Sequence, residues 1–215
     1  MASSPLSPTS AVILAGGQSR RMGQDKRRLR LWGPQGPTLL EHTVGLLAGM
    51  CAEVIAVLND PQEWPDLPAR LVPDAYPDGG ALGGIYSGLA AARHDYALVV
   101  AADMPFLSPS LLATMLARPR DYDALLPRSP EPGAARNALD VEPLHAIYSR
   151  ACLEPIRNTL EGGQRKIAAF FPLVRLAYVE PDEIALHDPH GRSFQNLNTP
   201  EQVEEVLREL SNRQS

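Results

Sequence analysis

Lysine is almost missing from this 215-residue chain: of its twenty basic side chains only Lys26 and Lys166 are lysines, the rest being arginines. A chain so biased keeps an ammonium where a compact point charge is needed, because arginine's planar fork does not replace one freely. Cysteine is too sparse for a disulfide framework or a ligand cluster. The two present, Cys51 and Cys152, are each flanked by apolar residues and read as small buried hydrophobes. Aromatics reach only 6%, and no apolar run approaches the length of a membrane span. The first ten residues have neither a basic start nor an apolar stretch, so 1–10 reads as a disordered tail and not a signal peptide. A cytoplasmic protein is expected. The formal charge of −5 leaves no broad basic surface outside residues 20–30, which argues against a nucleic-acid partner. His42, His94, His145, His187 and His190 show no ligand spacing.

Against this background one stretch stands out. Leu14-Ala15-Gly16-Gly17-Gln18-Ser19-Arg20-Arg21-Met22-Gly23-Gln24-Asp25-Lys26 opens directly behind a short apolar run, residues 11–15. That run reads as a buried strand, and the two glycines let the backbone turn sharply and approach a ligand. Exposed amides in such a turn make an anion site. From Arg20 to Arg30 there are six basic residues against one acid, Asp25, in an acidic protein. The spacing is neither G-x-G-x-x-G nor G-x-x-x-x-G-K-[ST], since Arg27 follows Lys26, so dehydrogenases and P-loop ATPases are disfavoured. A nucleoside-triphosphate site of a third kind remains.

The rest of the chain alternates strands and helices. Thr38 to Glu41 is a capping box opening a helix that runs to about Gly49. Strands are expected at 54–58, 71–72 and 97–102, ending respectively at Asn59, Asp74 and Asp103. A glycine loop at 79–84 leads into an alanine-rich helix ending near His94; its Gly83 and Gly84 either admit a base or pack closely. Ser108-Pro109 starts a further helix. Strands follow at 123–127, 143–148 and 174–179, with a helix from Arg150 to Leu160 interrupted early by Pro155. Thr199-Pro200-Glu201-Gln202 caps the last helix. Such alternation predicts an α/β protein with a mainly parallel sheet and helices on both faces. Ligands then bind beyond the carboxyl ends of the strands, where Gly16, Gly17, Asn59, Asp74 and Asp103 converge.

The order L-A-G-G-x-S-x-R-M-G-x-D-K closely resembles the signature of nucleotidyltransferases that include the molybdenum cofactor guanylyltransferases. A second match is Asn196-Leu197-Asn198-Thr199-Pro200-Glu201, which resembles the family's N-x-N-T-P-E element. The resemblance spans residues 11 to about 207 and departs at the loop 128–142, which aligns with nothing functional and is a candidate cover for a second substrate. It implies a three-layer, Rossmann-like nucleotidyltransferase fold over residues 11–210, one domain whose N-terminal half binds nucleotide and whose C-terminal half binds acceptor. It also implies that Arg21 and Lys26 meet the triphosphate and that Asp103 holds magnesium. Leu14, Ala15, Gly16, Gly17, Asn59 and Asp74 would contact the nucleotide. Arg165 and Lys166, in a basic loop, would face the acceptor together with Asn196 and Asn198.

The implied reaction transfers GMP from GTP to molybdopterin carrying molybdenum, giving the guanine dinucleotide and pyrophosphate. Transient contacts with molybdenum insertion or acceptor proteins go with that role. Alternatives are the same chemistry with CTP, the same chemistry with another phosphorylated acceptor such as a sugar phosphate, or a non-catalytic cofactor carrier. Arg21, Lys26 and Asp103 together argue against a mere carrier.

Overall fold

The computed structural model describes residues 8–16, 25–129 and 139–212. Seven strands, β1 (Ser10–Leu14), β2 (Glu53–Leu58), β3 (Arg70–Pro73), β4 (Tyr96–Ala101), β5 (Ala124–Pro127), β6 (His145–Ser149) and β7 (Leu176–Val179), form one sheet. Their order is β3-β2-β1-β4-β6-β5-β7. Every pairing is parallel except those of β6, which runs antiparallel to both β4 and β5. β1 is already paired at Ser10, opposite Glu53 and Ala97, and Thr9 is buried as well. Thr9 and Ser10, read as tail from composition, therefore belong to the packed structure, since the hydroxyl of Ser10 donates to Glu53 and tolerates burial.

The helices are α1 (Leu39–Ala48), α2 (Gly80–Ala91), α3 (Pro109–Ala117), α4 (Leu153–Glu161), α5 (Pro181–His187) and α6 (Pro200–Asn212). One face of the sheet packs Ile13, Leu98 and Val100 against Leu40 and Leu47 of α1, Leu111 of α3 and Ile184 of α5. The other packs Val12, Ile55 and Val99 against Leu82, Ile85 and Leu89 of α2 and Ile156 of α4, with Phe170 beside them. These are the three layers. α6 closes a smaller cluster, Val203 and Val206 on Leu31 and Leu39.

Caps fix the helix starts as their sequences demand. Thr38 and Glu41 form the reciprocal capping box, and Ser108 accepts from Leu111 N–H ahead of Pro109. Pro155 does not interrupt its helix. It sits in the first turn of α4, where its missing N–H has no intrahelical partner to lose. Arg128 bridges Val141, and Ser129 N–H donates to Asp140 O, so the arms of the 128–142 loop pair with each other.

Candidate functional site

Four strands deliver their carboxyl ends to one cavity of about 810 Å³. Leu14, Ala15 and Gly16 come from β1, Asn59 from β2, Asp74 from β3, and Ala102 with Asp103 from β4; all line it, as do Lys26 and Arg27. The cavity lies within the range that holds a small ligand or cofactor. The residues read as nucleotide-binding from strand ends thus come together wherever they are described. Gly17 and Arg21 lie outside the described residues.

Asn59 Nδ2 donates to Gly16 O at 2.6 Å, tying the first two strand ends together. A Cβ on Gly16 would stand 3.3 Å from that amide, so the close approach of the two loops suits glycine there. Asp74 is held from one side: its Oδ1 accepts from Ser87 Oγ at 2.8 Å and from Tyr76 N–H at 2.9 Å. Gly83 turns out to be a packing position, and Gly84 both packs and lines the cavity. A Cβ on Gly83 would meet Tyr76 O at 2.5 Å, and one on Gly84 would press on Leu14 at 3.2 Å.

Lys26 links the halves of the protein. Its Nζ lies 3.5 Å from Asp103 Oδ2 and donates to Asn198 Oδ1 at 3.1 Å. Leu197 N–H donates to Asp103 O at 3.0 Å, which lays the 195–198 segment alongside β4. Burial raises the Asp103 pKa, and the Lys26 ammonium only partly offsets this. A desolvated carboxylate beside a single ammonium is a place where added positive charge is favourable. The side-chain oxygen of Asn196 is buried without a hydrogen-bond partner. Carboxylate and amide oxygens suit a hard divalent cation. Among the described residues no three His, Cys, Asp or Glu side chains cluster as a complete metal cage, so phosphates and water would have to finish the shell.

The basic segment is not uniformly an anion site. Arg27 places all five of its N–H groups: Nε and Nη2 on Asp25, Nη1 and Nη2 on Asp60, and Nη1 also on Ala15 O. Arg28 pairs with Glu63, and Arg30 donates to Gly36 O. Arg27 and Asp60 were not legible as site residues, although Asp60 directly follows Asn59 at a strand end.

On the acceptor side the residues spread out. Arg165 donates through Nε to Asp78 O at 2.9 Å and through Nη1 to Leu160 O at 2.8 Å. It thereby ties the end of α4 to the turn preceding α2; Pro77 and Asp78 of that turn and Gly80 and Ala81 at the start of α2 line the cavity. Lys166 is exposed at the start of the 3-10 segment Ile167–Leu173. Asn198 reaches the cavity through Lys26, whereas Arg165, Lys166, Asn196 and Asn198 do not line it themselves. Cys51 and Cys152 have pKa values pushed up to about 12 by burial, which suits packing and not nucleophilic work. Among the described residues no helix is long and apolar enough to cross a membrane.

Comparison with known proteins gives the family and the fold. The model of the MobA-like NTP transferase domain matches residues 11–177. A protein of Chloroflexus aggregans named probable molybdenum cofactor guanylyltransferase is 48% identical over 198 residues, covering 92% of each chain. One of Pelotomaculum thermopropionicum with the same name is 36% identical over 191 residues, covering 89% of this chain and 88% of its own. The crystal structure of molybdopterin-guanine dinucleotide biosynthesis protein A from Archaeoglobus fulgidus superposes with a TM-score of 0.78 at 24% identity, covering 95% of this chain and 100% of that one. That last likeness shows the fold.

Proposed function

This chain belongs to the MobA-like NTP transferase family, and from that premise we propose that it transfers GMP from GTP to the molybdenum cofactor, forming molybdopterin guanine dinucleotide and releasing pyrophosphate. It is a nucleotidyltransferase. The observation that carries the reading is the convergence of the glycine turn, Asn59, Asp74, Lys26 and Asp103 on one cavity at the carboxyl ends of the sheet.

Each group then has a role. The main chain at Leu14, Ala15 and Gly16 and the side chains of Asn59 and Asp74 would hold the base and sugar, with Gly17 continuing the turn. Lys26, and Arg21 from the adjoining segment, would meet the triphosphate. Asp103 would hold magnesium, which when bound supplies charge neutralisation at the phosphates. The acceptor's phosphate is already ionised near neutrality, so its oxygen attacks the α-phosphorus without a general base. One P–O bond forms, the bond to the β-phosphate bridge breaks, and pyrophosphate leaves with its charge facing Lys26. Preorganised positive charge of this kind supplies most of the help that phosphoryl chemistry needs. Lys166, Asn196 and Asn198, with Arg165 where its fork still faces outward, would receive the pterin phosphate. A cytoplasmic location goes with such substrates, and transient contacts with molybdenum insertion or acceptor proteins would pass the product on.

The test is pyrophosphate release with magnesium and the molybdenum cofactor, offering GTP, CTP, ATP and UTP separately. Release with GTP alone, and only when the cofactor is present, is expected. Release with CTP in preference would move the protein to cytidylyl transfer.

A further inference from the structure

We infer that Arg27 is a positioning residue that sets base selection, holding the nucleotide-facing ends of β1 and β2 in register without touching the nucleotide's phosphates. The inference rests on the reading that Ala15, Gly16 and Asn59 hold the base.

A side chain in a basic segment beside a phosphate site would ordinarily be taken for a phosphate ligand. Arg27 is not available for that. Its guanidinium is saturated: Nε to Asp25 Oδ1 at 2.8 Å, Nη2 to Asp25 Oδ2 at 2.8 Å and Asp60 Oδ2 at 2.6 Å, and Nη1 to Asp60 Oδ1 at 2.6 Å and Ala15 O at 3.1 Å. An arginine has five N–H donors, and here all five are placed. Asp25 and Asp60 flank the guanidinium, and Arg28 adds a looser contact to Asp25 at 3.6 Å while pairing with Glu63, so three acids meet two arginines and no spare positive charge is left for a triphosphate. The side chain is only 13% exposed.

What the fork connects is informative. Asp25 caps the 3-10 turn Lys26–Arg28, and its Oδ1 also accepts from Arg27 N–H at 3.0 Å. Asp60 follows Asn59 at the end of β2. Ala15 precedes Gly16 at the end of β1. One planar group therefore spans the turn carrying Lys26 and the two strand ends proposed to read the base. A bidentate grip fixes orientation as well as distance. Asn59 completes the frame by donating to Gly16 O at 2.6 Å. Asp60, held ionised by the Arg27 hydrogen bonds, keeps the grip at neutral pH. A lysine at 27 would keep the charge but offers three donors on one atom and cannot bridge three acceptors in a plane.

The experiment compares wild type, Arg27→Lys and Asp60→Asn, measuring KM and kcat with GTP and with ATP, and melting temperature. Loss of the frame should raise KM for GTP about tenfold, leave kcat at saturating GTP within about threefold, and narrow the GTP-over-ATP preference, because a mispositioned hydrogen-bonding site loses discrimination first. The double variant should be little worse than either single one, since both break the same grip. Unchanged KM and unchanged preference in the variants, even with a lower melting temperature, would make Arg27 a purely structural residue and overturn the inference. If Arg27→Lys does not fold, Asp60→Asn decides by the same criteria. A wild type without any preference for GTP would instead sink the underlying functional reading, and the inference with it.

Discussion

At the scale of single residues, Asp103 and Lys26 are the two groups proposed to carry the chemistry, and Asp103 sets a cost in stability. Burial holds the Asp103 pKa above its usual value, so the folded state favours the protonated acid. Stability from this group is present at low pH and is lost as pH rises through the window above 3.8, so at neutrality the ionised carboxylate is held at a cost. Asp103→Asn should therefore leave the metal-free melting temperature at pH 7 unchanged or higher, while turnover falls by about 10³-fold with the loss of charge at the phosphates. Scanning calorimetry beside a pyrophosphate assay reads both. Lys26→Ala should weaken GTP binding and slow turnover by about 10²-fold, because the ammonium proposed to face the triphosphate is gone. Titration calorimetry with GTP checks it, and unaltered affinity would remove Lys26 from the phosphates. The strand-end acids and Asn59 were legible as strand ends because short apolar runs stop at them. Arg27 was not, because its partner Asp60 is remote in sequence and only folding shows that the two carboxylates absorb its charge.

At the scale of elements, helix α2 lies against β1, the strand that leads into the glycine turn. A Cβ on Gly88 would lie 2.2 Å from Val12 Cγ1, so the helix rests directly on β1. Gly88→Ala gains helix propensity but forces the helix off the strand, for a net loss of about 1–2 kcal/mol. A urea titration measures that loss, and a stabilised variant would contradict the packing. The capping boxes at Thr38 and Thr199 and the cap at Ser108 were readable because each rests on residues within one turn. The direction of β6 was not readable. All five of its residues are buried, so neither face leaves a pattern, and a short strand without alternation looks the same in either direction. Helix α5 was missed because its seven residues carry barely two turns of periodicity.

At the scale of the whole molecule, pH and ligand shift the balance between the folded and unfolded states. His145 is fully buried on β6 with its ring edge toward Phe194, and burial lowers its pKa to about 4 from 6.5 despite the nearby Asp188 and Ser193. A depressed histidine contributes stability that is complete above pH 6.5 and is lost as pH falls toward 4, about 3 kcal/mol in all. His145→Leu should flatten the melting temperature across that window relative to wild type; an equally steep acid limb in the variant would place the acid sensitivity elsewhere. GTP should raise the melting temperature more than ATP, CTP or UTP at equal concentration, by mass action on the native state. Equal shifts would mean that only the triphosphate is read. The central claim, guanylyl transfer to the molybdenum cofactor, is tested most directly by following the α-phosphate itself. With GTP labelled at that phosphorus, magnesium and the molybdenum cofactor, the label should appear in a single pterin-containing dinucleotide, one for each pyrophosphate released. Label recovered as free GMP, or remaining in GTP while labelled CTP is transferred, would contradict it.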